Sequence, residues 1–145
     1  MFTFSLQTVL KVRERLEKIK FKEFSGMLYE QQQMNAEMQS RKTQIAESAA
    51  KLDEVRRQGI TAAPLQLYSN FRERLNSEIG LIAEQYREHE QGVEEKRKEL
   101  VEARRAHRAI EILRDRELER YDRTQIRQER AIMDEIAANY YLHQQ

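Results

Sequence analysis

Few side chains in this sequence could act as nucleophiles, bases or metal ligands. There is no cysteine, and the three histidines lie far apart, so nucleophile–base pairs are scarce. The segment His89-Glu90-Gln91-Gly92-Val93 begins like a zinc-protease helix, but valine stands where the second histidine ligand must be. Four glycines scattered along the chain cannot supply the clustered amides of a phosphate-binding loop. The sequence predicts no catalytic residue, metal site, cofactor or small-molecule substrate, and indicates that the chain is not an enzyme.

The composition favours extended helices or disorder over a closed globule. Of the 145 residues, 39% are hydrophobic and 35% are charged, and the mean hydropathy is −0.89. This is too little apolar material for a closed core, but enough for helices that bury one narrow stripe. The net charge of +1 is smaller than a dedicated nucleic-acid module usually carries. No apolar run reaches the length of a membrane span, and the start lacks the pattern of a signal peptide. We therefore expect a cytoplasmic protein.

One turn is predicted, between Arg57 and the only proline, Pro64. Gly59 can adopt the left-handed conformation that ends a helix, and Pro64 fits the first turn of the next one. The first helix should begin near Ser5, which can cap it, with Phe4 and Val9 at hydrophobic-staple spacing. The prediction is a single helical hairpin over residues 1–145, with helices at 5–57 and 64–142 and a turn at 58–63.

Apolar or small residues recur at the spacing of a coiled-coil seam in both predicted helices. In the first helix they are Val9, Val12, Leu16, Ile19, Met27, Met34, Met38, Ile45, Ala49, Leu52 and Val55, with a slip of register near Phe21 and Phe24. In the second they are Tyr68, Phe71, Leu75, Ile79, Ile82, Tyr86, His89, Val93, Lys96, Leu100, Ala103, His107 and Ile110. Because disordered chains keep no such period, the pattern predicts an all-α, two-helix antiparallel coiled-coil hairpin. His89 and His107 are interpreted as polar seam residues that set the register.

Three surfaces remain as candidates for binding. The second helix is longer, and its overhang from Leu118 to Tyr141 carries an apolar stripe without a partner in the chain, which indicates a protein partner or self-association. The patch Tyr68, Phe71, Leu75, Glu78 and Ile82 is interpreted mainly as seam, although Phe71 could also bind a partner. The third surface is basic and comprises Lys11, Arg13, Arg15, Lys18, Lys20, Lys22, Arg104, Arg105 and Arg108. It is a solvated face balanced by Glu14, Glu17, Glu102 and Glu111, a cationic tip for an acidic opening, or an RNA-binding helical arm.

Two motifs resemble those of a known family. The chain begins with Phe2-x-Phe4-x-Leu6-Gln7-x-Val9-Leu10-x-x-Arg13, and its second helix begins with Leu67-Tyr68-x-x-Phe71-x-x-x-Leu75-x-x-x-Ile79. Both resemble the flagellar type III export protein FliJ, within the FliJ/YscO family of ATPase-associated coiled-coil stalk proteins. The closing Asp134-Glu135-Ile136-Ala137 also suits the tail of that family, so the resemblance covers nearly the whole chain.

The resemblance implies a fold similar to the coiled coil of the rotary ATPase γ subunit. It also implies a protein peripheral to the inner membrane at the flagellar base, held there by the export ATPase hexamer, the cytoplasmic domain of the export gate and export chaperones. ATPase binding would fall to Leu6, Val9, Leu10, Arg13, Ile132 and Ile136. Gate binding would fall to Tyr68, Phe71, Leu75, Glu78 and Ile82, although Glu78 and Ile82 depart from some members of the family.

Three alternatives to a flagellar stalk stay open, one of which is a plain structural coiled coil that dimerises through its tail. The equivalent stalk of a virulence injectisome has the same hairpin plan. An RNA-binding helical arm would show binding that weakens linearly with salt on a logarithmic scale.

Overall fold

The chain forms two helices packed against each other. The computed structural model describes residues 1–59 and 62–144, together with their side chains except those of residues 62 and 63. Helix α1 spans Gln7–Arg57 and helix α2 spans Ala62–His143, and no strand occurs among the described residues. The predicted all-α helical hairpin with a longer second helix is therefore confirmed. None of the described helices is long and apolar enough to cross a membrane.

The hairpin divides into two compact units, each built from both helices. The terminal unit consists of Met1–Ile19 and Val101–Gln145, and the turn unit consists of Lys20–Leu100. In the turn unit, contacts join Lys20 to Glu99, Met27 to His89 and Arg41 to Glu78, so the partner in α2 moves backward as α1 advances. The helices of this unit are therefore antiparallel.

The terminal unit has the same antiparallel arrangement. Glu17 pairs with His107, and the ring of Phe2 lies 5.6 Å from that of Tyr121. The small buried core of this unit contains Phe4, Leu10 and Ala103. The core of the turn unit contains Leu75, Ile82, Val93 and Leu100.

The predicted seam of α2 is confirmed. Every predicted member from Tyr68 to Ile110 is buried or half-buried. The polar members keep this position because their apolar stems pack while their heads reach water or a charged partner at the open sides of a two-helix seam.

The predicted seam at the beginning of α1 is wrong. Val9, Val12, Leu16 and Ile19 are exposed. The inward positions there are instead Leu10, Glu17, Lys20 and Phe24. The later predicted members are half-buried, as predicted, except for Val55, which is exposed: Met27, Met34, Met38, Ile45, Ala49 and Leu52. Three polar residues of the turn unit are also half-buried: Gln31, Arg41 and Ser48. Steps of three and four continue from Glu17 through Phe24, so the predicted register slip is also wrong. The prediction failed because it followed apolar residues, whereas Glu17 and Lys20 face α2 and form ion pairs there.

The helix ends agree only in part with those predicted from the sequence. Gly59 has a φ angle of 82° and follows the end of α1, as predicted, since glycine adopts left-handed backbone without steric cost. At the start of α1, the carbonyl of Phe4 accepts a hydrogen bond from the amide of Gln7. The predicted Ser5 side-chain cap is not formed among the described residues. Residues 60 and 61 of the predicted turn lie outside the described residues.

Three glycines inside the helices offer a test of stability. A Cβ atom added at Gly26 or Gly80 would meet nothing within 4 Å, whereas one at Gly92 would lie 2.7 Å from Cε of Met27. Since alanine favours a helix over glycine, we expect Gly26→Ala and Gly80→Ala each to raise the free energy of unfolding by about 1 kcal/mol. Gly92→Ala should raise the free energy of unfolding by less, because the Met27 side chain has to move to make room for the added Cβ atom. Urea unfolding followed by circular dichroism measures all three, and an equal or larger gain for Gly92→Ala would contradict the packing described.

Candidate functional site

The predicted gate-binding residues lie together in the turn unit, but at different depths. Leu75 is only 3% exposed and Ile82 is also buried, so both pack between the helices. Tyr68, Phe71 and Glu78 are half-buried and keep part of their surface open. We call these five residues the gate surface. Its accessible part consists of Tyr68, Phe71 and Glu78, and the two buried residues support that part from beneath.

Two arginines that sequence reasoning missed belong to the same surface. The guanidinium carbon of Arg74 lies 5.4 Å from the centre of the Phe71 ring, a cation–π distance. Glu78 accepts a 2.8 Å hydrogen bond from Nε of Arg41 on α1, and Nε of Arg74 lies 3.9 Å from its other oxygen. The spacing of Arg74, three residues after Phe71 and four before Glu78, is the signal that could have revealed it. An aromatic ring covered on one side by a guanidinium therefore marks this part of the surface.

A groove lies beside Tyr68, on the turn side of the gate surface. Its volume is about 480 Å³, and it is formed by both helices. It is lined by Ala49, Leu52, Asp53, Arg56, Leu65, Gln66, Tyr68, Ser69 and Arg72. This mixture of leucine, tyrosine and charged residues suits a protein contact better than a reaction, since no nucleophile–base pair is present in the lining.

The predicted ATPase-binding residues all belong to the terminal unit, but the structure does not bring them together. Leu6, Val9 and Arg13 are exposed near the start of α1. Leu10 is 5% exposed and packs in the core of the unit. Its side chain therefore positions α1 and offers almost no surface to a partner.

The other two ATPase-binding candidates lie on the tail of α2. Ile132 and Ile136 are exposed, as is every described residue from 126 onward. Tyr121 packs on Phe2, so Ile132 lies about 16 Å further along the helix axis at about 1.5 Å per residue. The unpartnered overhang consequently begins at residue 126, later than predicted, because Tyr121 has a partner within the chain.

The two seam histidines join the helices. Nε2 of His89 lies 2.8 Å from the carbonyl oxygen of Met27, and Nδ1 of His107 is hydrogen-bonded to Glu17. Both rings are largely covered, as expected of polar residues that fix the register of a seam. Among the described residues, no group of three or more histidine, aspartate or glutamate side chains could hold a metal ion.

A compact ion-pair network crosses the seam of the turn unit. Lys20 and Lys96 each contact both Glu23 and Glu99, at N–O distances between 3.0 and 3.6 Å. The hydrogen bond to Glu99 raises the pKa of Lys20, and those to Glu23 and Glu99 raise the pKa of Lys96. In turn, Lys96 lowers the pKa of Glu23, and Lys20 and then Lys96 lower that of Glu99. All four groups are therefore charged at neutral pH, and the network favours one pairing of the helices over shifted ones.

The predicted basic surface is only partly balanced by acids. Within the terminal unit, Lys18 pairs with Glu14 at 3.4 Å, Arg104 with Glu17 at 3.5 Å, and Arg108 with Glu111 at 3.1 Å. These pairs fit the interpretation of a solvated, balanced face. Other cations of the surface have no acidic partner among the described residues, and they lie mainly on the first turns of α1: Lys11, Arg13 and Arg15.

Comparison with known proteins identifies the family. The family model described as "Flagellar FliJ protein" matches residues 2–145. Among curated proteins and among solved structures, none matches the chain. The family match covers both helices, including the motifs at the start of each. The chain therefore belongs to the FliJ family, whose members are components of flagellar protein export.

Proposed function

We propose that this chain is a coiled-coil stalk of the flagellar export apparatus that binds the export ATPase hexamer and the cytoplasmic domain of the export gate. It has no ATPase activity of its own and changes the assembly or turnover of the ATPase ring. It also binds export chaperones. Its place is at the inner membrane of the flagellar base, where it is held by these protein partners.

The observation that carries this proposal is that the two candidate surfaces belong to different compact units. All six ATPase-binding candidates lie in Met1–Ile19 or Val101–Gln145, whereas the gate surface lies wholly within Lys20–Leu100. Each compact unit therefore carries one candidate set. Such an arrangement suits a protein that connects two partners.

The chemistry of the terminal unit also suits a ring of identical subunits. A two-helix unit cannot match six subunits identically, so its contacts should be few, changeable and largely electrostatic. The exposed cations Lys11, Arg13 and Arg15 fit this requirement, and exposed Leu6 and Val9 add limited apolar contacts beside them. The exposed tail residues Ile132 and Ile136 add apolar contacts on α2.

The test is ATP hydrolysis by the matching export ATPase, with and without this protein, over a series of salt concentrations. We expect stimulation that declines as salt rises, because exposed charges are screened. Val9→Ala with Arg13→Glu should abolish most of it, since both side chains are exposed and neither substitution disturbs the core. Leu10 is left intact because its substitution would change folding as well as binding.

The matched control is Phe71→Ala, which alters the gate surface in the other unit. It should leave ATPase stimulation within about two-fold of wild type. Stimulation lost equally in both variants would contradict separate surfaces, and no stimulation at any salt concentration would reject the ATPase-binding role.

A further inference from the structure

A second apolar stripe runs along α1, away from the seam with α2. Its members are Val9, Val12, Leu16 and Ile19, all within the terminal unit. They follow one another at steps of three, four and three residues, the spacing of core positions in a coiled coil. Their exposures lie between 36% and 58%, so the rest of the described chain leaves a substantial part of each side chain open. The hairpin thus uses one face of α1 for its own seam and presents another with the same period.

The residues beside this stripe are basic and lack partners. Arg13 directly follows the core position Val12, and Arg15 directly precedes the core position Leu16, which are the flanking positions that select a partner helix by charge. Both arginines are exposed and make no ion pair among the described residues.

The acidic residues of the same turns are already engaged elsewhere. Glu14 lies 3.4 Å from Lys18, and Glu17 pairs with Arg104 and His107 of α2. These carboxylates therefore neutralise other cations, and the flanks of the stripe keep their positive charge. A helix with glutamate or aspartate at its own flanking positions would complement that charge.

We propose that this stripe is a second coiled-coil seam, onto which an acidic amphipathic helix of a partner protein packs as a third helix. The positive charge of the flanks favours such a helix over a second copy of this chain. If two copies packed through this stripe, Arg13 and Arg15 of one copy would lie close to the same arginines of the other and repel them. The narrow width of the stripe favours a helix over a lipid surface, since membrane-binding helices present a broad apolar face.

The proposal concerns the class of partner and does not require that partner to be the export ATPase. Val9 of this stripe and Arg13 beside it also belong to the proposed ATPase-binding residues. The test therefore measures helix binding directly, with no ATPase present. A negative result in the peptide-binding test would not contradict ATPase binding. A negative result in the ATPase experiment would not contradict binding of an acidic helix.

The probe is a synthetic helix of about four heptads with leucine at its core positions and glutamate at its flanking positions, long enough to be helical when bound. Its matched control has the same core with lysine at the flanks. Titration of the full chain with each labelled peptide, read by fluorescence anisotropy at low salt, should show at least ten-fold tighter binding of the acidic peptide. Equal binding of both peptides, or binding of neither, would overturn the proposal.

Variants of the chain locate the binding face. Arg13→Glu with Arg15→Glu should reverse the preference between the two peptides, and Val12→Ala with Ile19→Ala should weaken acidic-peptide binding at least ten-fold. These four side chains are exposed, so circular dichroism should show an intact fold. The matched controls are Lys42→Glu with Lys51→Glu for charge and Leu81→Ala for apolar exposure, which should change affinity less than two-fold.

Further measurements on the full chain test whether the stripe binds a second copy of the chain or a lipid surface instead. The exposed tail carries Asp134 and Glu135 beside Ile132 and Ile136, so a second copy could supply an acidic helix. Light scattering should show a monomer; a dimer that disappears in the Val12→Ala, Ile19→Ala variant would overturn the proposal in favour of self-association. Binding to phosphatidylserine vesicles that depends on the same two residues would overturn it in favour of a lipid surface.

Discussion

Leu100→Ala should lower the free energy of unfolding by about 2–3 kcal/mol, a large part of the stability of a small helical protein. Leu100 is 3% exposed and lies in the core of the turn unit. Truncation removes apolar contacts and leaves a cavity between the helices. The loss should fall toward the low end for a buried leucine, because a two-helix seam is open at its sides and can partly close. Urea unfolding followed by circular dichroism measures the effect.

Leu81→Ala is the matched control on the same helix. Leu81 is exposed, so its truncation leaves no cavity, and alanine favours the helix at least as well as leucine. We expect a change below about 0.5 kcal/mol. Similar losses in the two variants would contradict the burial pattern and would mean that α2 presents a different face to α1.

Phe71→Ala should weaken binding to the cytoplasmic domain of the export gate at least ten-fold. Large aromatic side chains that are partly buried in their own protein and partly open are typical of the residues that dominate interface energies. The packed neighbours of Phe71 support this role, since Arg74 covers one side of the ring. Because the ring already lies in place, little conformational entropy is lost when a partner covers its open side. Titration calorimetry with the isolated gate domain measures the affinity.

The control for that experiment is Tyr29→Ala, an exposed aromatic residue of α1 in the same unit. It should leave gate binding within about two-fold of wild type. If both variants lose binding equally, the effect is not local to the gate surface. A preserved affinity in Phe71→Ala would reject Phe71 as a gate contact while leaving the family assignment unchanged.

Sequence periodicity correctly predicted the buried face of α2 from Tyr68 to Ile110 but failed to predict the buried face at the start of α1. The difference has a physical cause. In α2, apolar residues such as Leu75, Ile82 and Leu100 occupy the inward positions, so apolar period and buried face coincide. In α1, residues 9–19 contain apolar side chains on two faces, and Leu10 lies inward while Val9 and Val12 lie outward. A single helix cannot reveal which of two apolar faces its partner will cover, because that choice depends on the register of the other helix.

The sequence was enough to predict the residues of the candidate sites, but only the structure shows which of them are buried. The motif around Phe71 was visible from its spacing, but the burial of Leu75 and Ile82 and the cation–π contact of Arg74 depend on how α1 and α2 meet. In the terminal unit, the same packing separates buried Leu10 from exposed Val9 and Arg13. A side chain on a helix can bind a partner only if the neighbouring helix leaves it open.

The sequence by itself determined the helical hairpin and the family, because helical period, one glycine–proline turn and the N-terminal motif are local properties of the chain. Only the tertiary structure decided that Glu17 and Lys20 face α2 while the stripe from Val9 to Ile19 faces outward. The physical reason is that the ion pairs Glu17–Arg104 and Lys20–Glu99, together with the hydrogen bond between Glu17 and His107, stabilise charged residues in an open two-helix seam. Those pairs exist only once residues far apart in sequence have been brought together.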